Sequence, residues 1–389
     1  MAVLIIVTAS IALVKNRASL SSLDSDSRWV CCILIANLSL VFFYFSIGRD
    51  SIEVLIDPGK MIFMIPIVLG VLTIGLRPDR LILGLALGMC GAACIVGYQQ
   101  QVMGVERPAV SYNPNVFSEV ALVSGAVLLS CIGLFPGWKK MLPGLGALAA
   151  IYCVILSQSR GTWLALFPMG LIAGLVYIKF RHLADFRKAG PSRKKFAVYL
   201  VVLLLLATGL GYQFGDGMVK RVTTAAENYS IYKADRTQFS SLAIRLELWY
   251  STWLSFKEAP ITGIGSDNRI EYLAELESAG KIHLGSYPWR HAHSDYLDRL
   301  QRQGLPAMIL LIGFYGILFR IFWRGLKTDN NEQFSIALGG LMTVTCYATF
   351  SLTEVPFWDS LMTVYFVVLV SILLGVLRRS QLKREQAGR

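Results

Sequence analysis

Long hydrophobic runs separated by short polar turns set the pattern of this 389-residue chain. The runs are roughly 16 to 22 residues long, enough for a helix rising about 1.5 Å per residue to cross about 30 Å of hydrocarbon. They are too continuous for the alternating strands of an outer-membrane barrel, and lipid offers backbone groups no partners outside a helix. The pattern therefore predicts an all-α polytopic membrane protein with about 11–12 transmembrane helices. The predicted spans cover residues 1–15, 29–48, 61–76, 81–99, 115–135, 142–159, 161–179, 196–213, 305–323, 334–351 and 357–377.

The same pattern divides the chain into three parts. Residues 1–213 form a transmembrane bundle of about eight helices, 214–304 a large polar loop, and 305–389 three further helices with a basic tail. The first run, 1–15, lacks a charged leading segment, so we do not interpret it as a cleaved signal peptide. If it belongs to a longer helical pair, the number of spans rises to about twelve.

The polar loop has the composition of a folded, helical segment. Apolar residues recur at spacings of three and four over 241–258, which predicts a helix that ends before Pro260. A second helix is predicted from near His293 to Gln303, broken by Gly304 before the next span begins. The seven cysteines all lie in predicted spans, so we expect neither a disulfide nor a thiolate metal site in this loop.

Composition and charge agree with this topology. The chain is 54% hydrophobic, which is too apolar for a soluble globular protein. Its net charge of +12 is concentrated in three basic segments, 180–195, 320–327 and 378–389. The positive-inside rule places all three in the cytoplasm, so the loop 214–304 faces the opposite side, the periplasm of a bacterial inner membrane. The basic charge thus indicates orientation, and we do not expect nucleic-acid binding.

Two arginines are candidates for binding an anion. Arg160 stands in a very short turn between two apolar runs, where it is either an interfacial anchor beside Trp163 or a fork for an anionic lipid headgroup. Arg245 lies one turn before Trp249 on the predicted loop helix. Taken alone, that pair is more typical of a structural cation–π contact than of a binding site.

His293 is the best candidate for a general base. It opens the second predicted helix, and the positive potential of a helix N-terminus favours the neutral imidazole that a base requires and also attracts phosphate. A loop histidine is more often structural than catalytic. Metal binding is a further alternative, because His291-Ala292-His293-Ser294-Asp295 resembles the start of a metallo-hydrolase ligand run, but position 296 is Tyr where such a run needs His.

Two acidic residues lie within or beside predicted spans, where a charge is costly. Glu119 and Asp359 could line a polar cavity or a proton path, as in a transporter. Glu119 follows Asn113-Pro114-Asn115, which indicates a helix entry rather than a charge in the middle of the bilayer.

Taken in order, these motifs resemble the O-antigen ligase and polymerase superfamily of bacterial envelope glycosyltransferases. That family's histidine motif is His, then Asn, Ser or Gln, nine residues, Gly, two residues, and Gly, Thr or Tyr. This chain keeps every position except the last, which is the small apolar Ala307. The resemblance covers roughly residues 115–380. Its motifs are Ser159-Arg160-Gly161-Thr162-Trp163, Arg245-x-x-x-Trp249, Pro260-x-x-Gly263-x-Gly265 and His293-Ser294 with Gly304.

The resemblance implies a GT-C-like, metal-independent glycosyltransferase that needs no cofactor. Its donor would be a glycan on undecaprenyl pyrophosphate, and its acceptor a hydroxyl of the lipid A-core. Arg160 and Arg245 would stabilise the departing pyrophosphate, and His293 would deprotonate the acceptor for inversion. The secondary candidates for substrate binding are His291, Arg290, Arg269 and Trp249.

The motifs leave related activities open. An O-antigen or polysaccharide polymerase, which joins repeats on the lipid carrier, shares the donor chemistry, as does transfer to a protein hydroxyl. A transporter is the alternative from another class, and it would predict broken helices at mid-membrane and internal repeats. The polar residues instead concentrate in one outer loop, which argues against a transporter. Nothing in the motifs separates ligase from polymerase, and we favour the ligase.

Overall fold

The computed structural model describes residues 23–51, 54, 56–110, 113–180, 223–224, 227–285 and 289–387. All regular secondary structure within these ranges is helical, which confirms the predicted all-α fold class. The helices are α1 Ser25–Ser46, α2 Ile56–Ile62, α3 Met64–Ile74, α4 Pro78–Gln101, α5 Pro114–Cys131, α6 Met141–Ser157, α7 Arg160–Leu164, α8 Leu166–Phe180, α9 Ser241–Glu258, α10 Arg269–Ser278, α11 Asp295–Gly325, α12 Asn331–Phe350 and α13 Ser360–Ala387.

Within the described ranges, seven helical segments are long and apolar enough to cross a membrane. The protein is therefore a multi-pass membrane protein. The seven segments are Ser25–Ser46, Pro78–Gln101, Pro114–Leu134, Gly137–Ser157, Gly161–Phe180, Asp295–Gly325 and Ser360–Gln386.

The other four predicted spans have different outcomes. The span 61–76 corresponds to a shorter apolar helical stretch, Gly59–Ile74. The span 334–351 forms α12, which is not among the seven, and most of its side chains are buried inside the bundle. The predicted spans 1–15 and 196–213 lie outside the described residues.

Helices α1 and α11 run antiparallel and define the two ends of the bundle. At one end, Arg324 Nη1 lies 2.6 Å from Asp26 Oδ2. At the other end, the Tyr44 hydroxyl donates to the carbonyl of Gln303 at 3.1 Å. Helix α12 packs between α5 and α11, and α9 of the loop packs on the outer part of α11. The polar loop therefore sits over the end of the bundle that is opposite to the basic turn 320–327.

The loop has a small hydrophobic core of its own. Glu247 is buried beneath this core and accepts two hydrogen bonds of 2.8 Å from Arg236 and a third, also 2.8 Å, from the Tyr232 hydroxyl. A buried carboxylate satisfied in this way holds the surrounding chain in one arrangement. The described part of the loop is thus folded, as its composition predicted. The core comprises Leu248, Leu273, Leu276, Ile282 and Leu284.

The helix predicted over 241–258 is confirmed as α9. Ser240 precedes it in an extended conformation, and its hydroxyl accepts from the backbone amide of Ala243 at 3.1 Å, which satisfies one of the free amides of the first turn. Helix α10 was not predicted. The second predicted helix begins at Asp295 rather than His293 and is interrupted at Gly304, as predicted, and a second helical stretch then runs to Gly325.

Gly304 kinks α11 and divides it into two helical stretches. Its backbone angles, φ 73° and ψ −170°, belong to a region that only glycine adopts readily, and a Cβ there would overlap the carbonyl of Ile261. The amide of Gly265 donates to the carbonyl of Arg302 at 2.9 Å. A Cβ on Gly263 would lie 2.5 Å from the same carbonyl. The glycines therefore allow the loop 260–265 to lie backbone to backbone against the bend.

Candidate functional site

Glu354, in the turn between α12 and α13, lies at the centre of a polar cluster beneath the loop. Its Oε1 accepts hydrogen bonds from Arg245 Nη2 at 2.9 Å and from Asn115 Nδ2 at 3.2 Å. Its Oε2 lies 3.5 Å from His293 Nδ1. One carboxylate thus joins α9, α5 and the segment before α11.

The charge of Glu354 is stabilised by these neighbours. Burial alone raises the pKa of Glu354, but His293 and Arg245 outweigh it, so the pKa lies below its usual value. The carboxylate is therefore ionised at neutral pH. An ionised carboxylate beside Nδ1 favours the proton on that nitrogen and leaves Nε2 free to accept another.

The backbone presents His293 in a strained conformation. Its φ is 51°, in the left-handed region that non-glycine residues seldom adopt, although His is among the residues found there more often. On one side, the indole of Trp249 donates to the Ala292 carbonyl at 3.0 Å. On the other, the Ser294 hydroxyl donates to the Ser351 carbonyl at 3.0 Å. The side chain remains 21% exposed, so these supports hold an imidazole that a substrate can reach.

The helix N-terminus, expected to attract phosphate, has its first amide already occupied. The Asp295 amide donates to the carbonyls of Ser351 and Glu354, at 2.9 and 3.0 Å. The carbonyl end of α12 therefore occupies this donor.

His291 contacts His293 but carries no charge. The two rings are 4.4 Å apart and meet edge to face. Burial, with a smaller effect from His293, lowers the pKa of His291 to about 4. A neutral His291 does not repel a cation that forms on His293 during proton transfer.

Arg245 makes an ion pair in place of the cation–π contact weighed from the sequence. Its guanidinium is 25% exposed and bonds Glu354, whereas the indole of Trp249 is directed to the His293 loop. Trp249 therefore acts as a support, one turn along the same helix. A quarter of the Arg245 side chain thus remains exposed beside Glu354.

Arg269 was predicted to contact the donor substrate, but its side chain lies inside the protein. It is 1% exposed, and its Nη1 lies 3.3 Å from Asp298 Oδ1 and also bonds Gln301. Burial lowers the pKa of Arg269 to about 10, which leaves it charged at neutral pH. Asp298 also accepts from the Ala292 amide at 2.9 Å, so Arg269 acts on the His293 loop from inside the protein.

Arg290 is exposed beside the site. Its backbone carbonyl bonds the guanidinium of Arg302, which lies 4.3 Å from the ring of Trp358. Trp358 is 38% exposed, and its ring centroid is 6.5 Å from that of His291. Among the described residues, the exposed Arg290 and the partly exposed ring of Trp358 thus lie at the rim of the site.

For Arg160 the structure describes the backbone but not the side chain. Arg160 is the first residue of α7, and the next residue, Gly161, approaches the Glu354 turn so closely that a Cβ would lie 3.0 Å from Thr353 Oγ1. The role of the Arg160 side chain stays a prediction.

Comparison with known proteins bears on the segment that contains these motifs. Residues 145–312 match the model of a family described as O-antigen ligase. This segment is similar to the O-antigen ligase family. The resemblance predicted from the sequence is thereby confirmed, and the family supports a ligase-type or polymerase-type function.

The chain as a whole also has a relative. A protein from Haemophilus influenzae, which has no assigned activity, is 24% identical over 345 residues, covering 86% of this chain and 81% of its own. The similarity therefore extends well beyond the family segment.

The O-antigen ligase match contains Arg160, Arg245 and His293 but ends before Glu354. Sequence reasoning missed Glu354, Asn115 and Arg107, which donates to Asn115 Oδ1 at 2.8 Å. The sequence around Glu354 gave only a weak indication of its role. Glu354 stands beside Pro356 between two apolar runs, and an acidic residue at a helix end usually looks like a cap.

Glu119 does not lie at the solvent-exposed entry of its helix. It is 1% exposed in α5, about one turn after Asn115. Its Oε1 has no hydrogen-bond partner among the described residues. The interpretation of Glu119 as an entry residue therefore underestimated its burial. Asp359 instead accepts from the amides at the start of α13 and caps that helix.

Proposed function

We propose that this protein is an O-antigen ligase of the bacterial inner membrane. It transfers a glycan from undecaprenyl pyrophosphate to a hydroxyl of the lipid A-core on the periplasmic side. One observation carries the proposal: Glu354 lies between His293 Nδ1 and the guanidinium of Arg245. This arrangement puts a base and an anion-binding group at one carboxylate, and both of these groups belong to the segment that matches the family described as O-antigen ligase.

In the proposed reaction, His293 Nε2 accepts the proton of the acceptor hydroxyl. The oxygen attacks the anomeric carbon of the donor glycan from the side opposite the pyrophosphate, so the configuration is inverted. The bond from that carbon to the pyrophosphate oxygen breaks, and its electron pair leaves with undecaprenyl pyrophosphate. Glu354 stabilises the imidazolium through Nδ1, as a carboxylate does for a histidine base in other hydrolytic and transfer enzymes.

Arginines would stabilise the charge that develops on the leaving group. Arg245 uses Nη2 to bond Glu354 and keeps other N–H donors for phosphate oxygens. Arg160 and the exposed Arg290 would add positive charge at the same face. A pyrophosphate is already a good leaving group, so the proposed step needs neither a metal nor a general acid.

The other predicted substrate contacts take revised roles in this proposal. His291, neutral and beside His293, would contact the acceptor sugar. Trp249 and Arg269 would position the His293 loop. Membrane lipids surround the spans, and the lipid-linked donor would enter from that environment.

A transfer assay with purified protein tests the proposal. It supplies undecaprenyl-pyrophosphate glycan and lipid A-core in the presence of EDTA, and compares the wild type with His293→Ala. We expect glycosylated lipid A-core from the wild type and a loss of roughly 10²-fold or more in the variant. His283→Ala, at the loop histidine whose backbone amide contacts Glu247, is the matched control and should keep its activity.

The same assay distinguishes a ligase from enzymes that use the same donor but a different acceptor. Elongation of the lipid-linked glycan, with no transfer to lipid A-core, would identify a polymerase. Transfer only to an added protein acceptor would identify a protein O-oligosaccharyltransferase. Inactivity towards every acceptor, or a requirement for added metal, would contradict the proposal.

A further inference from the structure

The loop exposes large apolar side chains on one side of its longest helix. Trp253 is 53% exposed and Ile261, just beyond the end of α9, is 67% exposed. Phe256 stacks on Trp253 with ring centroids 5.9 Å apart, and Lys257 Nζ lies 5.7 Å from the same indole. We call Trp253, Phe256, Lys257 and Ile261 the α9 patch. A folded loop facing only water has no reason to present such a group.

The bend in α11 places one end of the α9 patch at the start of a lipid-facing surface. The carbonyl of Ile261 packs against Gly304. The following residues belong to the apolar part of α11, where Leu305, Ile309 and Ile312 are 36%, 55% and 51% exposed. These side chains point outward from a membrane-spanning helix, so Ile261 lies where contact with hydrocarbon begins.

A second spanning helix, α1, places the loop 260–265 at the same depth in the membrane. Arg49, just beyond α1, donates from Nη1 to the carbonyl of Gly263 at 3.2 Å. The last turns of α1 expose Phe42 and Ile47, at 59% and 49%. The loop 260–265 is therefore held between the ends of two spanning helices, and the exposed surface of both continues into the α9 patch.

We propose that the α9 patch docks into the lipid interface of the leaflet on the His293 side of the membrane. Ile261 and the stacked rings of Trp253 and Phe256 would enter the boundary between headgroups and acyl chains. Tryptophan favours this region, and a lysine there keeps its stem apolar while its ammonium reaches the phosphates.

Docking would have a consequence for the site. Helix α9 carries Arg245 and Trp249 as well as the patch, so anchoring its far end would keep these residues near headgroup depth. A phosphate attached to a membrane lipid lies at the same depth. The docking itself rests on geometry and composition alone, and it does not depend on the proposed function.

Site-directed spin labelling in phospholipid nanodiscs tests the docking. The four cysteines that are not buried (Cys31, Cys32, Cys90 and Cys94) are replaced by alanine, and Ile261→Cys or Trp253→Cys is labelled in the full chain. The collision rates of the label with oxygen, which partitions into lipid, and with a water-soluble nickel complex are then compared. Ala279→Cys, exposed in the polar surroundings beyond α10, is the matched control.

We expect the ratio of oxygen to nickel collisions to be severalfold higher at 261 and 253 than at 279. Equal ratios at the three positions would show a water-exposed patch and overturn the proposal. A label at 261 or 253 that is shielded from both reagents would also overturn it, because protein, such as a second copy of this chain, would then cover the patch. Substitutions at such exposed positions leave the core intact, so folding does not confound either outcome.

Discussion

The two halves of the candidate site are built in different ways. The loop half, α9 with residues 289–294, presents Arg245 and His293 on backbone held by glycines and by the indole of Trp249. The bundle half, the turn 351–359 with Asn115, contributes one carboxylate and several backbone carbonyls at the ends of buried helices. In the proposed reaction the loop therefore supplies the base and the cation, and the bundle orients them.

This difference implies that each half is sensitive to a different kind of change. The loop half depends on conformation, because His293 has a positive φ and Gly304 has angles open only to glycine. The bundle half depends on charge, because Glu354 is the one acidic side chain within 4 Å of both Arg245 and His293 among the described residues.

The largest expected effect follows from removing the charge of the bundle half. Glu354→Gln keeps the size of the side chain but loses the carboxylate that faces His293 and Arg245. We expect kcat of the transfer reaction to fall by roughly 10²-fold or more with little change in stability, because the imidazolium and the guanidinium lose their counter-charge.

The control for this change is Glu332→Gln, at an exposed carboxylate in the first turn of α12 at the other end of the bundle. It should keep wild-type activity. If Glu354→Gln is as active as this control, the bundle half does not orient the base, and the comparison between the halves fails.

The next largest effect concerns the conformation of the loop half. Gly304→Ala would force a Cβ against the carbonyl of Ile261 at angles that alanine avoids. We expect a loss of about 2–4 kcal/mol in the free energy of unfolding, measured by thermal denaturation in detergent.

Gly316→Ala in the same helix is the matched control, since a Cβ there meets nothing within 4 Å. It should be neutral or slightly stabilising, because alanine is the better helix former. Equal stability of the two variants would show that the bend at Gly304 is not required.

The residues of the loop half were easier to predict from the sequence than those of the bundle half. The helix over 241–258, the glycine-rich loop and His293 were all predictable, because helical periodicity, glycine spacing and a rare histidine are local signals. Glu354 was not, since its importance arises from contact with Arg245, 109 residues away in the chain. The inward orientation of Arg269 was equally hidden, because an arginine in a polar loop is usually exposed.

A smaller effect is expected in the pH dependence of stability, and it concerns His291 in the loop half. Burial lowers the pKa of His291 to about 4, below its value of about 6.5 in an unfolded chain. Between these values the unfolded state binds more protons, so stability should fall as the pH drops from 6.5 to 4. The contribution is up to about 3 kcal/mol by this linkage.

The variant His291→Gln should remove that part of the dependence, and thermal unfolding measured at several pH values checks it. Above pH 6.5 the two proteins should show the same slope. If the variant loses stability towards pH 4 as steeply as the wild type, His291 is not held neutral by burial.

The smallest effect concerns the hydrogen bond that joins α9 to the His293 loop. Trp249→Phe keeps an aromatic ring but removes the indole donor to the Ala292 carbonyl, a bond of 3.0 Å. The loss of one such bond costs about 1 kcal/mol. We expect kcat to fall severalfold while KM stays nearly constant, because His293 becomes less well positioned without losing its chemistry. Trp253→Phe, at the exposed indole one turn further along α9, should leave both constants unchanged. If both variants behave alike, α9 contributes to the site through Arg245 alone, and Trp249 has no part in positioning the base.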